Sequence, residues 1–189
     1  MVPLYTERLI VRRFEDADCG PLAAYRNDPA VALYQSWEQC TLAEARMLVA
    51  DNKAMPFGVP GEWIQVAIAL RTGGQIIGDL AVKILERDAR QAILGFTVAA
   101  SHQRRGLGSE AVGAVMAYLF TAMGLHRVTA ECDPRNHASW RLMERLGMRR
   151  EAHCLRSLWY KGDWADEYRY AILRDEWHAR HPHPPTTHL

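Results

Sequence analysis

Between two apolar segments the chain reads Gln103-Arg104-Arg105-Gly106-Leu107-Gly108, and this polar stretch decides how the centre of the protein folds. The preceding residues, 92–98, are apolar and partly β-branched, which predicts a buried strand. Beyond the glycines, apolar residues recur at spacings of three and four, which predicts a helix with one apolar face: Ala111, Val112, Val115, Met116, Leu119 and Phe120. The stretch is therefore predicted to be the turn from a strand into a helix.

Such a turn is suited to binding an anion. The first amides of a helix have no partner inside the helix, and the helix dipole adds about half a positive charge at that end. Gly106 and Gly108 lack a Cβ, so their backbone can approach a phosphate closely, and Arg104 and Arg105 add mobile positive charge. The sequence therefore predicts a pyrophosphate site at this turn.

Length and composition narrow the class of protein. The 189 residues are enough for one domain with a sizeable core, and 49% hydrophobic with 24% charged residues is ordinary for a globular protein. A net charge of +1 gives no electrostatic case for binding nucleic acid. No apolar run approaches the ~20 residues of a membrane helix, and the N-terminus lacks the pattern of a signal peptide. The four cysteines show no CxxC spacing, which predicts reduced thiols in a cytoplasmic protein.

The segments around the turn predict an α/β (α+β) fold. Strands are predicted at 7–14, 63–70, 76–85 and 92–98, and the short polar turns between the last three indicate an antiparallel meander. A further strand at 127–131 follows the long helix, and a hairpin turning at 161–164 closes the sheet. The sequence thus predicts a mixed, mostly antiparallel sheet of about seven strands flanked by helices.

Capping residues and composition set the expected boundaries. Thr41 and Glu44 fit a capping box, and Asn136 is predicted to be the N-cap of a later helix. No linker or internal repeat divides the chain, so residues 1–180 are predicted to form a single domain. Residues 181–189, rich in His and Pro, are predicted to be a disordered tail.

The glycine turn admits other interpretations. Gly106-x-Gly108-x-x-Ala111 matches the GxGxxG/A fingerprint of dinucleotide-binding folds, and Glu131 lies about where the ribose-binding acid of such folds belongs. Against this interpretation, the residues entering the turn are polar, and too few strand–helix units follow for a doubly wound sheet. The turn could also merely join strand to helix, with the arginines on a solvated rim.

The stretch from Gln103 to Gly108 resembles the Q/R-x-x-G-x-G/A motif of GNAT acyltransferases. A narrower resemblance, to the branch that contains the ribosomal-protein N-terminal acetyltransferases (Rim-type), covers roughly residues 5–173. The features that carry it are Thr6-Glu7-Arg8-Leu9, Ser109-Glu110-Ala111-Val112 after the turn, Asn136-x-x-Ser139 followed by Glu144-Arg145-Leu146-Gly147-Met148, and Gly162-Asp163-Trp164-x-Asp166.

The resemblance implies that residues 1–180 form a single acyl-CoA N-acyltransferase domain, which uses acetyl-CoA and needs no metal. It also implies that the acetyl group moves directly from the CoA thioester to a primary amine. In that family the turn amides hold the acyl-CoA pyrophosphate. The preceding strand is splayed by a bulge, expected here near residues 96–99, and its backbone pairs with the pantetheine arm. The implied acetyl-CoA-binding residues are Phe96, Thr97, Val98, Gln103, Arg104, Arg105, Gly106, Leu107, Gly108, Ser109, Asn136 and Ser139.

Ser139 is the residue that the resemblance marks as the general acid. In this branch the serine three residues after the asparagine, here Asn136, can hydrogen-bond the CoA sulfur and protonate the leaving thiolate. Many GNAT enzymes instead use a tyrosine seven residues after that asparagine, but this chain has Met143 there, which cannot donate a proton. From the residues alone, Asn136 and Ser139 also fit a plain N-cap and a serine on one helix face, and departure of the thiolate without an acid stays open.

The general base is open as well. Rim-type members often carry a glutamate two residues before the glycine of the central strand, whereas this chain has Ile93. Glu131, at the end of the next strand, is the first candidate, and Asp133 and His137 are alternatives that would act through water. Each also fits a solvated or capping side chain, and the amine could arrive already neutral.

The acyl acceptor is predicted to bind between residues 25–37, the central loop and the final hairpin. The aromatic residues that could line this site are Tyr34, Trp37, Trp63, Trp159 and Trp164. A protein N-terminus and a small-molecule amine both stay open as acceptors. Arg141 and Arg145 are predicted to lie on an exposed helix face.

Two other functions compete with acetyl transfer. One is a module that binds acyl-CoA without turnover, and the other is a nicotinamide-dependent oxidoreductase. The protein is expected to be a monomer or a homodimer and to bind neither nucleic acid nor a membrane.

Overall fold

Eight strands and six helices make up the part of the chain that the computed structural model describes, residues 1–182. The strands are β1 (Leu4–Tyr5), β2 (Leu9–Arg12), β3 (Trp63–Leu70), β4 (Ile76–Ile84), β5 (Gln91–Val98), β6 (Arg127–Cys132), β7 (Arg149–Tyr160) and β8 (Asp163–Leu173). The helices are α1 (Cys19–Arg26), α2 (Pro29–Ala32), α3 (Leu42–Ala54), α4 (Leu107–Thr121), α5 (His137–Arg145) and α6 (Arg174–Arg180).

The strands form one sheet in the order β1-β2-β3-β4-β5-β6-β8-β7. Each neighbouring pair is antiparallel except β5 and β6, so the predicted mixed, mostly antiparallel α/β (α+β) fold is confirmed. The sheet has eight strands and not about seven, because β1 is only two residues long and too short to show a period in the sequence. With a single parallel pair among residues 1–182, the sheet is not the doubly wound sheet of the dinucleotide-binding interpretation.

Helices cover the two faces of this sheet. The apolar face predicted for α4 is confirmed, because all six of its residues are buried in the larger core cluster. Along β3, Val66 and Ile68 belong to that cluster, whereas Ala67 and Ala69 belong to a second one around Leu22 of α1. Since alternate residues of a strand point to opposite faces, α4 and α1 lie on opposite sides of the sheet. Within the described residues, no helix combines the length and the apolar character needed to cross a bilayer.

The two parallel strands pair at one end and separate at the other. Their ladder ends at Leu94 and Ala130, whereas β5 continues to Val98 and β6 to Cys132. β5 stays in register with β4 through Val98, so the bulge predicted near residues 96–99 is wrong for this ladder. The separation opens a gap at the carboxyl ends of two parallel strands, where ligands bind in open α/β sheets.

The C-terminal segment is described only in part. His181, the first residue of the predicted tail, stacks its ring on Trp177 with 3.8 Å between the ring centroids. Residues 183–189 lie outside the described residues, and so does the rest of that prediction.

Candidate active site

The glycine turn joins β5 to α4 as the sequence predicts. Gln103 donates from Nε2 to the carbonyl oxygen of Val98 at 2.9 Å, which ties the turn back to the end of the strand. Gly106 is the N-cap of α4 and has a φ of 77°, a left-handed conformation that suits glycine. No side chain among residues 1–182 caps this helix, so its first amides remain available to an anion. The donors therefore fit the predicted pyrophosphate.

Gly108 has a role that the sequence did not indicate. A Cβ at this position would lie 2.9 Å from Cδ1 of Leu142 and 3.4 Å from Cγ2 of Val98. The missing side chain thus allows the first turn of α4 to pack closely against α5 and the end of β5. A larger residue here would have to displace the end of the Leu142 side chain, so glycine favours this close packing as well as the approach of a phosphate.

Cationic side chains surround the turn. Arg104 and Arg105 are exposed, and neither pairs with a carboxylate within the described part of the chain. Arg145, predicted to lie on an exposed helix face, is exposed but also donates from Nη1 to Oγ of Ser109 at 3.3 Å. Arg145 therefore reaches the first turn of α4, whereas Arg141 lies over the ring of Trp140.

The last residues of β5 present an open backbone edge to the gap. Phe96 and Val98 pack against the α4 side of the core, and the side chain of Thr97 is buried on the opposite face. A Cβ on Gly78 of β4 would collide with the carbonyl oxygen of Thr97, so β5 approaches β4 more closely than any larger residue permits. Because β6 has already separated, the backbone groups of residues 95–98 on that side have no strand partner among residues 1–182, although the carbonyl of Val98 accepts from Gln103. An extended ligand could pair with them.

Asn136 and Ser139 sit at the start of α5, across the gap from the turn. The Oδ1 atom of Asn136 accepts from the backbone N–H of Ser139 at 3.2 Å, which confirms Asn136 as an N-cap. The Nδ2 group of Asn136 remains as a donor. Ser139 is half-buried, and its backbone makes the capping bond, so its hydroxyl is not needed for the cap.

The hydroxyl of Ser139 lies beside the thiol of Cys132, the last residue of β6. Burial raises the pKa of the Cys132 thiol to about 12, although the contact with Ser139 lowers it. At neutral pH Cys132 is therefore an uncharged neighbour that does not compete as a base for the serine proton.

The structure separates the three candidate bases. Burial alone would raise the pKa of Asp133, but hydrogen bonds from Arg135 lower that pKa below its ordinary value. One of these bonds runs from Nη2 of Arg135 to Oδ2 of Asp133 at 2.6 Å. His137 is exposed, with its ring edge-on to Trp140. In Glu131, burial raises the pKa, and the nearby charge of Glu167 raises it further. Glu131 is thus the carboxylate best prepared to take up a proton.

Glu131 and Ser139 do not meet. Residues alternate between the faces of a strand, so Glu131 projects from the face of β6 opposite to Cys132 and its neighbour Ser139. On that face Glu131 lies 3.5 Å from Nε of Arg169 and is 43% exposed. The predicted acid and base therefore approach the open end of β6 from its two sides.

A cavity of about 410 Å³ lies beside the loop that leads from β6 to Asn136. Its walls are formed by Asp133, Pro134, Arg135, Tyr160, Lys161, Asp163, Trp164, Ala165 and Asp166. The tip of the β7–β8 hairpin is held over α2, because Lys161 donates from Nζ to the carbonyl of Ala32 at 2.7 Å and Tyr160 donates to that of Leu33 at 3.2 Å. The final hairpin thus lines this cavity, and residues 32–33 hold its tip in place. The predicted central loop, residues 56–61, does not contribute to the cavity walls, because Pro60 pairs with Ile84 at the end of β4 that adjoins the start of β5.

The aromatic residues predicted for the acceptor site separate into two groups. Trp164 lines the cavity, and the ring of Trp159 packs edge-on against the ring of Trp164, with 5.4 Å between their centroids. Tyr34 donates from its hydroxyl to the carbonyl of Arg135 at 3.3 Å. Trp37 instead stacks under the guanidinium of Arg26 at 4.1 Å, and Trp63 lies exposed on β3. The first group remains as candidates, whereas Trp37 has a structural role.

Sequence reasoning missed a buried polar cluster on the α1 side of the sheet. Asp79 on β4, directly opposite Thr97, accepts from the hydroxyl of Tyr25 at 2.5 Å and from Nη2 of Arg26 at 3.2 Å. Burial raises the pKa of Asp79, although Arg26 and Tyr25 oppose this effect. An aspartate inside the apolar run of β4 was the available signal. The cluster anchors α1 beside the last residues of β5.

Among residues 1–182, no group of three or more His, Cys, Asp or Glu side chains is arranged to hold a metal ion.

Comparison with known proteins assigns the family. The family described as "Acetyltransferase (GNAT) domain" matches residues 8–149. The uncharacterized N-acetyltransferase YnaD of Bacillus subtilis (strain 168) is 34% identical over 172 residues, which cover 91% of this chain and 97% of that protein. The ribosomal protein uS5 alanine N-acetyltransferase of Escherichia coli (strain K12) is 28% identical, with 93% of each chain covered.

A solved structure agrees with this assignment. The crystal structure of a GNAT-family acetyltransferase from Bacillus anthracis has a TM-score of 0.81 and 29% identity, and the match covers 92% of this chain and 99% of that one. These relatives do not favour the oxidoreductase or the module without turnover. The chain belongs to the GNAT family and is an acetyl-CoA-dependent N-acetyltransferase.

Proposed function

We propose that the protein holds acetyl-CoA in the gap between β5 and β6 and transfers the acetyl group to the α-amino group of a polypeptide N-terminus. The observation that carries this proposal is the uncapped start of α4, which follows the open edge of β5 within a few residues. The start of α4 supplies amide donors for a pyrophosphate, and the open edge of β5 supplies extended backbone for a pantetheine arm. The proposed acetyl-CoA-binding residues are Phe96, Thr97, Val98, Gln103, Arg104, Arg105, Gly106, Leu107, Gly108, Ser109, Asn136 and Ser139.

Each catalytic residue has one proposed task. Ser139 donates its proton to the leaving thiolate and regains one from solvent water, and Glu131 accepts the proton that the amine loses, through a water molecule, and releases it to solvent. Their separation on the two faces of β6 keeps the proton acceptor away from the proton donor. Acetyl-CoA supplies the activated thioester, and binding both reactants together supplies much of the rate enhancement.

The cavity beside Asp133 is the proposed entrance for the acceptor. Asp163 and Trp164 lie side by side in its wall, and a carboxylate next to an aromatic ring suits an ammonium group. Trp159 packs against Trp164, and Leu155 and Leu158 are further exposed apolar side chains of the same hairpin. Exposed apolar side chains beside the cavity favour a polypeptide over a small polar amine. One relative, 28% identical, is named for the alanine of a ribosomal protein, which also supports a polypeptide acceptor.

Acetylation of a panel of acceptors tests this proposal. The protein is incubated with acetyl-CoA and either N-terminal peptides or small amines, and mass spectrometry identifies the products. We expect acetylated peptide α-amines and release of CoA. Acetylation of small amines alone would overturn the polypeptide acceptor, and the absence of any acetylated product would overturn the proposed reaction.

Replacing Asp163 with asparagine is expected to raise the KM for the acceptor by up to about fivefold, the range of an exposed charge interaction. The acetyl-CoA KM should not change. Asparagine can still accept the bond that Asp163 Oδ1 takes from the backbone N–H of Trp164 at 2.7 Å, so the hairpin should remain intact. Asp175→Asn, on α6, is the matched control. Steady-state kinetics checks the prediction, and an unchanged acceptor KM in Asp163→Asn would contradict it.

The free cysteine thiols support a proposal about the cellular compartment. All four cysteines are free, as is usual in a reducing compartment, and we propose that the protein acts in the cytoplasm. Whether it acts as a monomer or a homodimer stays a prediction for light scattering to decide.

A further inference from the structure

Glu110, in the first turn of α4, is bound by the loop between β1 and β2. Its Oε1 accepts from the hydroxyl of Thr6 at 2.5 Å and from the backbone N–H of Arg8 at 2.9 Å. Its Oε2 accepts from Nε of Arg8 at 2.6 Å. The carboxylate is only 16% exposed, and burial would raise its pKa, but these hydrogen bonds lower the pKa of Glu110 below the ordinary value. Glu110 is therefore an anion at neutral pH and is fully engaged by this loop.

Arg8 also reaches the glycine turn itself. Its Nη1 donates to the carbonyl oxygen of Arg105 at 3.0 Å, and its Nη2 lies 3.5 Å from the position that a Cβ on Gly106 would occupy. In a planar trans peptide the C=O of one residue and the N–H of the next point in opposite directions. By holding the carbonyl of Arg105, Arg8 therefore fixes the direction of the N–H of Gly106.

The turn needs such support because its backbone is not in a relaxed conformation. Arg104 has a φ of 60°, in the left-handed region that residues other than glycine rarely adopt. The turn is exposed and lies between regular elements, so neither a ladder nor a helix holds residues 103–106. The side chain of Arg8 supplies a contact from outside the turn, and Glu110 holds Arg8 in place.

We propose that Thr6, Arg8 and Glu110 form a latch that fixes the backbone of the glycine turn in the orientation that binds the acetyl-CoA pyrophosphate. This inference rests on the proposed function of that turn and adds positioning residues to it. Arg8 acts through the carbonyl of Arg105, and Glu110 acts by holding Arg8. The latch accounts for two of the sequence features of the Rim-type resemblance, because it joins Arg8 of the first to Glu110 of the second across 102 residues of sequence.

The variant Arg8→Lys distinguishes the latch from a simple effect of charge. An arginine can place one N–H on a carboxylate and another on a carbonyl at the same time, whereas a lysine presents a single ammonium point. If Arg8 served only as a positive charge near the phosphates, Arg8→Lys would bind acetyl-CoA as the wild type does. If Arg8 bridges Glu110 and the carbonyl of Arg105, Arg8→Lys should lose as much affinity as Arg8→Ala.

The test is calorimetric titration of acetyl-CoA into the wild type, Arg8→Lys, Arg8→Ala and Glu110→Gln, with kcat measured at saturating acetyl-CoA. We expect each variant to raise the Kd by about tenfold, the effect of losing one hydrogen bond to a charged group, with kcat within about twofold of wild type. Arg127→Lys and Glu151→Gln are the matched controls, because this arginine–glutamate pair lies on β6 and β7, away from the turn. They should leave the Kd unchanged.

The outcomes separate the latch from the proposed function. Wild-type affinity in Arg8→Lys overturns the latch while leaving the acetyl-CoA site intact. A wild type that binds no acetyl-CoA overturns the proposed function and the latch together. Circular dichroism melts show whether a variant has lost structure. If one has, Thr6→Val is titrated in its place, because valine keeps the size of threonine but cannot make the hydrogen bond to Glu110.

Discussion

Replacing Ser139 with alanine is expected to lower kcat for acetyl transfer by about 100-fold, at the lower end of what a general acid contributes. The variant lacks the hydroxyl that lies beside the Cys132 thiol at the end of β6. The bond from the backbone N–H of residue 139 to Asn136 does not depend on the side chain, so α5 should keep its N-cap. Because Ser139 is also a proposed acetyl-CoA-binding residue, the acetyl-CoA Kd should rise by at most about tenfold, the effect of losing one hydrogen bond, which is much less than the expected fall in kcat.

Paired kinetics and calorimetry check this prediction. Thr72→Ala, which removes an exposed hydroxyl from the turn between β3 and β4, controls for a general effect of losing such a group. An acyl donor whose leaving thiol is more acidic needs less help from a general acid. With such a donor, the loss of kcat in Ser139→Ala should therefore be smaller than with acetyl-CoA. An unchanged kcat in Ser139→Ala would mean that the thiolate leaves without this acid.

Replacing Glu131 with glutamine should also lower kcat by about 100-fold, and it should change the pH profile. A general base must be deprotonated, so the wild-type rate should fall as the pH falls through the pKa of Glu131. Burial raises the pKa of that carboxyl above its ordinary value, and Glu167 raises it further, so the fall should begin at a higher pH than for an exposed glutamate. In Glu131→Gln this acidic limb should disappear.

Glu167→Gln provides a second check on the same residue. Removing the neighbouring negative charge should lower the pKa of Glu131, and the acidic limb of the wild-type profile should then move to lower pH. The measurement is kcat/KM for the acceptor across the acidic range. An acidic limb that persists unchanged in Glu131→Gln would assign the base to another group.

Local sequence patterns predicted the elements that have a period or a cap. The apolar spacing of α4, the meander of β3 to β5 and the N-cap at Asn136 depend on residues close together in the chain, and the structure confirms each of them. β1 has two residues and no period, so its pairing with β2 could not be read locally.

The parts that could not be predicted depend on contacts between distant segments. Glu110 appeared only as part of a motif, because its partners Thr6 and Arg8 lie about a hundred residues earlier in the chain. The sequence suggested that Gly108 lets a phosphate approach the backbone. In the structure, the atom nearest to a Cβ placed on Gly108 belongs to Leu142 of another helix. The catalytic and acetyl-CoA-binding roles rest on the resemblance together with this geometry, and they stay predictions until they are measured.

The turn at residues 103–109 is proposed to hold the pyrophosphate of acetyl-CoA. The most direct test of this claim is to compare calorimetric binding of acetyl-CoA with that of S-acetylpantetheine, which carries the same thioester but lacks the pyrophosphate and the nucleotide. If the uncapped start of α4 and its arginines bind the pyrophosphate, S-acetylpantetheine should bind at least about 100-fold more weakly, since charge-assisted bonds to phosphate are lost. Equal affinity for the two thioesters, or no binding of acetyl-CoA, would contradict the claim.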